Sequence, residues 1–246
     1  MNSPSIQPPG ATHSRASTPV NRILEALPRE EYARLLPLLS PVRLQKGRVL
    51  WEAGGEIRHA YFLTGGMVAM LSVTYDQETV EVGMIGSEGI AGVAALLRCE
   101  SAPYRVVVQL SAGALRISVR ALRAEFSRGG RLQDLTLRYT HALLTQVAQS
   151  ASCHRFHTAE QRLCRWLLTS ADRAGSYTLP LTQEFLAQMI GVPRTSVTSA
   201  AVKLQDRRLI GYRRGRITLL DRRGLESTSC ECYRAVTAIL DCHLAA

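Results

Sequence analysis

Residues Leu181–Asp221, LTQEFLAQMIGVPRTSVTSAAVKLQDRRLIGYRRGRITLLD, decide how this chain is read. Thr182 stands where a helix N-cap is needed, with Gln183 and Glu184 in the first turn, where a carboxylate favours the positive helix end. Phe185, Leu186, Met189 and Ile190 follow at helical spacing. Gly191 suits the left-handed residue that ends such a helix, and Pro193 opens the next without losing a needed N–H. A second helix, from about Arg194 to Gln205, is expected to bury Val197, Ala201, Val202 and Leu204. Its other face would present Arg194, Thr195, Ser196, Thr198, Ser199 and Lys203. LIGYRRGRITLL then reads as two short β-prone runs around Arg213-Arg214-Gly215-Arg216. Two helices about a tight turn, followed by a basic hairpin, make a winged helix-turn-helix, a module suited to reading double-stranded DNA.

The rest of the chain agrees with a polyanionic partner. Its 246 residues carry a formal net charge of +10, and neutralising phosphates releases counterions. Lysine occurs 2 times and arginine 28 times, so arginine is the default basic residue and local excess counts for more. Positions 181–226 hold nine basic and four acidic residues, a net of +5. No apolar run approaches the roughly 18–20 residues needed to span a bilayer, so no membrane partner is expected. The first twenty residues, rich in Ser, Pro and Thr, read as a disordered leader rather than a signal peptide. Six scattered cysteines fit a reduced, cytoplasmic setting. Without a phosphate-cradling glycine loop, a nucleophile elbow or clustered carboxylates, the chain is not expected to be an enzyme.

Upstream, residues 21–40 read as two short helical turns broken by Pro28 and Pro37. From Val42 to about Val119 the pattern becomes short β-prone runs, among them VLWEAG, AYFLTGGMVAMLSV, ETVEVGMIG and YRVVVQL, punctuated by glycines. That spacing predicts a β-sandwich or roll with one short helical insert, GVAALL. Helical periodicity returns at Ala121–Phe126 and dominates Arg131–Ser152. There Leu132, Leu135, Tyr139, Ala142 and Gln146 keep a 3-4-3-4 spacing, as a two-stranded dimer seam would. Leu143 and Val147 lie on a neighbouring stripe that could pack back on the β-domain. A further helix spans about Thr158–Arg173, and Asp172–Tyr177 reads as a linker. The expected class is α+β: an N-terminal double-stranded, jelly-roll-like β-roll, a long dimerisation helix and a C-terminal winged helix-turn-helix. The corresponding boundaries are 1–20 leader, 21–127 β-roll with flanking helices, 128–155 long helix, 156–228 DNA-binding domain and 229–246 helical tail.

This order resembles the Crp/Fnr family of bacterial transcription regulators, over about residues 25–225. The resemblance rests on VLWEAGGEIRHAYFLTGGMVAML in the roll, and on LTQEFLAQMIGVPRTSV with the following KLQDRRLI in the DNA module. It implies a homodimer on a two-fold symmetric operator, with the second helix in each major groove, the wing on the backbone and RNA polymerase as a candidate partner. Arg194 matches a base-contacting arginine, a residue that bonds bidentately to guanine O6 and N7. Thr195 and Ser199 stand where cAMP-responsive members have a glutamate and a second arginine, so the operator should differ from theirs. Thr182, Ser196 and Thr198 become candidates for phosphate or base contacts, and Arg213, Arg214 and Arg216 for backbone contacts.

In the roll the resemblance breaks down. Cyclic-nucleotide binders carry Gly-Glu-Leu, then Arg-Ser some ten residues on, to hold the ribose hydroxyl and the cyclic phosphate. If Gly92 takes the glycine position, Val93 replaces the glutamate and no Arg-Ser follows. Glu88, Tyr104 and Arg105 are the nearby residues that would have to substitute. The expectation is that cAMP is not the effector and that no cofactor is bound. An iron–sulfur cluster of the oxygen-sensing kind is not expected either, since no cysteine precedes Cys99. Cys230, Cys232 and Cys242 are weak metal-ligand candidates in the tail, read first as reduced thiols on a terminal helix. Cys153, His154 and His157 are read as packing or surface residues at a helix junction. The competing function is a redox- or metal-responsive regulator on the same scaffold, using the C-terminal cysteines.

Overall fold

A computed structural model describes residues 21–99 and 101–244, so the expected leader lies outside the described residues. Asn21 caps a first helical turn, α1 (Arg22–Glu25), and α2 (Arg29–Leu35) leads through a 3-10 turn into the β-domain. Eight strands follow: β1 (Ser40–Leu44), β2 (Val49–Trp51), β3 (His59–Leu63), β4 (Met67–Val73), β5 (Thr79–Ile85), β6 (Ile90–Ala91), β7 (Arg105–Leu110) and β8 (Ala112–Ser118). They form two antiparallel four-stranded sheets, in the orders β1-β8-β3-β6 and β2-β7-β4-β5. Leu44, Phe62, Ala114 and Ile117 from the first meet Val68, Met70, Val106 and Val108 from the second in one core.

The run MVAMLSV explains how the second sheet is used. Met67 to Leu71 are all buried, which an antiparallel strand with one solvated face does not allow. Val68 and Met70 point into the roll. Met67, Ala69 and Leu71 join a second core with Trp166, Leu186 and Ile190 of the C-terminal domain. The β-roll is thus covered on its outer face by the DNA-binding domain of the same chain.

Helices α3 (Val119–Phe126) and α4 (Arg131–Phe156) follow the roll. The start of α4 is held from α2: the Arg131 and Leu132 N–H groups each donate to the Glu31 carboxylate at 2.9 Å. This satisfies orphan donors and places a negative charge at the positive helix end. The five residues expected at a dimer seam do something else. Leu132, Leu135, Tyr139, Ala142 and Gln146 are all 3% exposed or less, inside the chain's own core. Tyr139 packs against Gly89, and Gln146 Oε1 accepts from Met84 N–H at 2.7 Å. Leu143 is also buried and Val147 partly so. The β-roll therefore takes up both stripes, and the residues left outward on α4 include a third row, Leu137, His141, Leu144, Ala148 and Ala151, again at 4-3-4-3 spacing.

The C-terminal domain opens with α5 (Ala159–Ala174), started by a capping box between Thr158 and Gln161 and ended at Gly175 in the left-handed conformation. Asp172 and Arg173, where the expected helix and linker overlapped, belong to its last turn, as does Ala174. Then come β9 (Thr178–Leu179), α6 (Gln183–Ile190), α7 (Arg194–Asp206), β10 (Ile210–Arg213) and β11 (Arg216–Leu219) in a sheet of order β10-β11-β9. Two further helices, α8 (Arg222–Thr228) and α9 (Cys232–Leu244), finish the chain, with α8 packed on α5 and α9 along α4. No helix among the described residues is long and apolar enough to cross a membrane.

Candidate nucleic-acid interface

Local chemistry places the DNA-facing residues as their order along the chain suggests. Thr182 Oγ1 accepts from Phe185 N–H at 3.2 Å, so its side chain serves as the cap of α6. Gly191 ends that helix with φ 60°, and the Pro193 carbonyl accepts from Ser196 and Val197 at the start of α7. Val197, Ala200, Ala201 and Leu204 anchor α7 in the core. Val202, expected inside, is 50% exposed, and Ala200 takes its place. The cause is geometric: Ala200 falls with Val197, Ala201 and Leu204 on one i, i+3, i+4, i+7 stripe, whereas Val202 lies on the opposite side of the helix.

The opposite face of α7 is open. Arg194, Thr195, Ser199 and Lys203 are exposed, and Ser196 is half-buried. Thr198 Oγ1 lies 2.9 Å from Gln183 Oε1, so it braces α7 against α6. Arg194 is 65% exposed at its side chain and reaches Glu184 only at 3.9 Å, which leaves its guanidinium free to reorient.

The wing is a two-residue hairpin. Arg213 pairs with Arg216, while Arg214 (φ 48°) and Gly215 (φ 71°) both take positive φ. That is the turn whose twist matches a β-hairpin. It turns three exposed arginines into solvent beside the start of α6, where the Thr182 methyl would meet a Cβ placed on Gly215. Tyr212, whose hydroxyl donates to the Leu181 carbonyl at 3.2 Å, pins the wing to the same edge.

A Crp-like helix-turn-helix domain model matches residues 161–228, and a cyclic nucleotide-binding domain model matches residues 41–128. The chain belongs to the Crp/Fnr family of transcription regulators. Solved Crp/Fnr structures share its fold. A regulator of this family from Eubacterium rectale superposes with a TM-score of 0.67 at 14% identity, covering 84% of this chain and 96% of its own. FixK2 from Bradyrhizobium japonicum gives 0.67 at 14% identity, over 78% and 98%. TTHB099 from Thermus thermophilus gives 0.65 at 20% identity, over 76% and 96%. No curated sequence matches.

The residues expected near an effector in this Crp/Fnr protein have defined surroundings. Gly92 (φ 100°) opens the 3-10 turn Val93–Leu97, and a Cβ there would press on the His59 and Ala60 backbone. Val93 is 3% exposed in the roll's core. Glu88 is buried and accepts from Arg173 Nε of the DNA-binding domain and from Gly86 N–H. The Arg105 guanidinium is held by Glu52, and burial raises the half-buried Tyr104 hydroxyl above its ordinary range.

The tail cysteines divide differently from the sequence reading. Cys242 is exposed and apart. Cys230 and Cys232 meet Cys153 and His157 from the end of α4, and the four ligand atoms lie within 4.8 Å of one another. Sequence missed the two α4 partners because they sit more than seventy positions away.

Proposed function

We propose that this Crp/Fnr protein is a homodimeric, sequence-specific DNA-binding regulator that does not respond to cAMP. The observation that carries the reading is the open row Arg194, Thr195, Ser199 and Lys203 on α7 beside an exposed arginine wing. The row offers base-edge donors while the wing supplies phosphate contacts. A second copy is expected along α4 through the outward residues Leu137 and Leu144, which are 49% and 64% exposed. Two apolar side chains one heptad apart on a long helix suit a two-stranded seam, and a dimer would present two recognition helices to a symmetric operator. Val93 in the core, with Glu88 and Arg105 committed elsewhere, supports an effector other than cAMP, or none.

The test is a footprint of the purified chain on DNA upstream of its own coding region, with and without cAMP. A symmetric footprint of about two helical turns, indifferent to cAMP, is expected. Protection that appears only with cAMP would overturn the effector reading, and no protection at any site would overturn the regulator reading.

A further inference from the structure

The end of α4 and the junction between α8 and α9 converge on a polar cluster in an otherwise apolar setting. Cys153, Cys230 and Cys232 are at most 2% exposed and form a small core of their own. Cys153 Sγ lies 3.6 Å from Cys230 Sγ, and Cys232 Sγ lies 3.5 Å from His157 Nδ1. The other nitrogen of that ring, Nε2, is 3.1 Å from the Glu231 carboxylate. Gln149 Nε2 donates to Cys232 Sγ at 3.1 Å.

We propose that Cys153, His157, Cys230 and Cys232 form a closed, tetrahedral Zn²⁺ site that clamps the end of α4 to the α8–α9 junction. Zinc bonds of about 2.3 Å to sulfur and about 2.0–2.1 Å to imidazole set tetrahedral edges of about 3.8 Å and about 3.6 Å between ligands. The observed 3.6 Å and 3.5 Å separations fall close to these edges. A cluster of several irons would hold its thiolates further apart. The Glu231–His157 contact is the outer-shell partner a metal-bound histidine uses to fix its tautomer and orientation, and here it leaves Nδ1 facing the thiols. Three sulfurs and one imidazole with no open position define a structural site rather than a catalytic one.

The charge also balances. Binding Zn²⁺ forms three Zn–Sγ bonds and one Zn–Nδ1 bond and releases three thiol protons to solvent, leaving the site at −1. Arg162 and Arg165, at 6% and 5% exposure, lie beside it, and their Nε groups have no hydrogen-bond partner. Arg162 Nη1 donates to the His154 carbonyl, next to Cys153, at 3.4 Å, and Arg165 follows one turn further along the same face of α5. Two buried cations beside a set of thiolates offset a charge that burial would otherwise penalise.

The test reads metal, not DNA, so its failure would leave the regulator reading standing. The full-length chain, purified with zinc and then desalted, is assayed for bound metal by mass spectrometry. One zinc per chain is expected, kept in a C99S/C242S variant and lost in C230S/C232S. Because the second variant could misfold, the wild-type chain is also stripped with a chelator and titrated with Co²⁺. The expected result is a tetrahedral cobalt–thiolate spectrum saturating at one equivalent. Iron in place of zinc, zinc retained by C230S/C232S, a featureless cobalt titration of a folded chain, or a Cys153–Cys230 disulfide in the freshly isolated protein would each overturn the proposal.

Discussion

Arg173, in the last turn of α5, is ion-paired with Glu88 of the β-roll at 2.8 Å, and the two side chains are 6% and 9% exposed. The pair joins the effector-type domain to the DNA-binding domain at a point where water is excluded. Removing one partner leaves the other charged and buried, which costs roughly 3–5 kcal/mol. Glu88→Ala should therefore lower the urea midpoint sharply. A Glu88→Leu/Arg173→Leu double variant should be less destabilised than the sum of the single changes. Strict additivity would mean that the pair contributes no coupling.

Glu81 predicts a pH dependence. This β5 carboxylate is buried at the same interface, where it accepts from Gln109 Nε2 at 2.6 Å and Trp166 Nε1 at 3.2 Å. Burial pushes it up to about 7 from an ordinary 4.5, outweighing the opposing hydrogen bonds and arginines. In the unfolded chain it ionises near 4.5, so the native state carries a penalty that is absent below that pH. The penalty grows as pH rises toward 7 and is constant above it, reaching on the order of 3 kcal/mol at about 1.4 kcal/mol per pH unit. Glu81→Gln should raise Tm at pH 8 and leave it nearly unchanged at pH 4.5. An equal gain at both pH values would contradict the assignment.

Arg194→Ala should lose roughly 1–3 kcal/mol of discrimination at one base pair per half-site, while Arg213→Ala or Arg216→Ala should weaken all sequences about equally and flatten the salt dependence. Affinities for the footprinted operator and its single-base variants, compared at two salt concentrations, check both. Equal weakening of every sequence by Arg194→Ala would remove it from base readout.

The outward row of α4 predicts where dimerisation fails. Leu137→Arg/Leu144→Arg places two charges on an apolar seam without touching the protomer's core, because both side chains are exposed. Light scattering after gel filtration should give a monomer with an unchanged circular dichroism spectrum. A dimer that survives both changes would move the interface elsewhere.

What the sequence determined by itself is whatever depends on neighbours along the chain. Thr182, Gly191 and the Arg214-Gly215 turn act on backbone within a few residues of themselves, so cap, helix end and wing were legible without a fold, and so was the alternation of strands and glycine turns in the roll. The tertiary structure alone decided which stripe of α4 faces inward. The inward row from Leu132 to Gln146 and the outward row from Leu137 to Ala151 both keep 3-4 spacing, and periodicity carries no information about which of them the β-roll will cover. Val202 is a different case: 3-4 spacing from Val197 already puts Ala200, Ala201 and Leu204 on one face of α7 and Val202 about half a turn away, so its exposure was legible from helix geometry alone. The thiol cluster shows the part of tertiary structure most sharply. Cys230 and Cys232 drew notice by their spacing, but Cys153 and His157 joined them only because α9 folds back along α4, a closure across some 77 residues that no local pattern encodes.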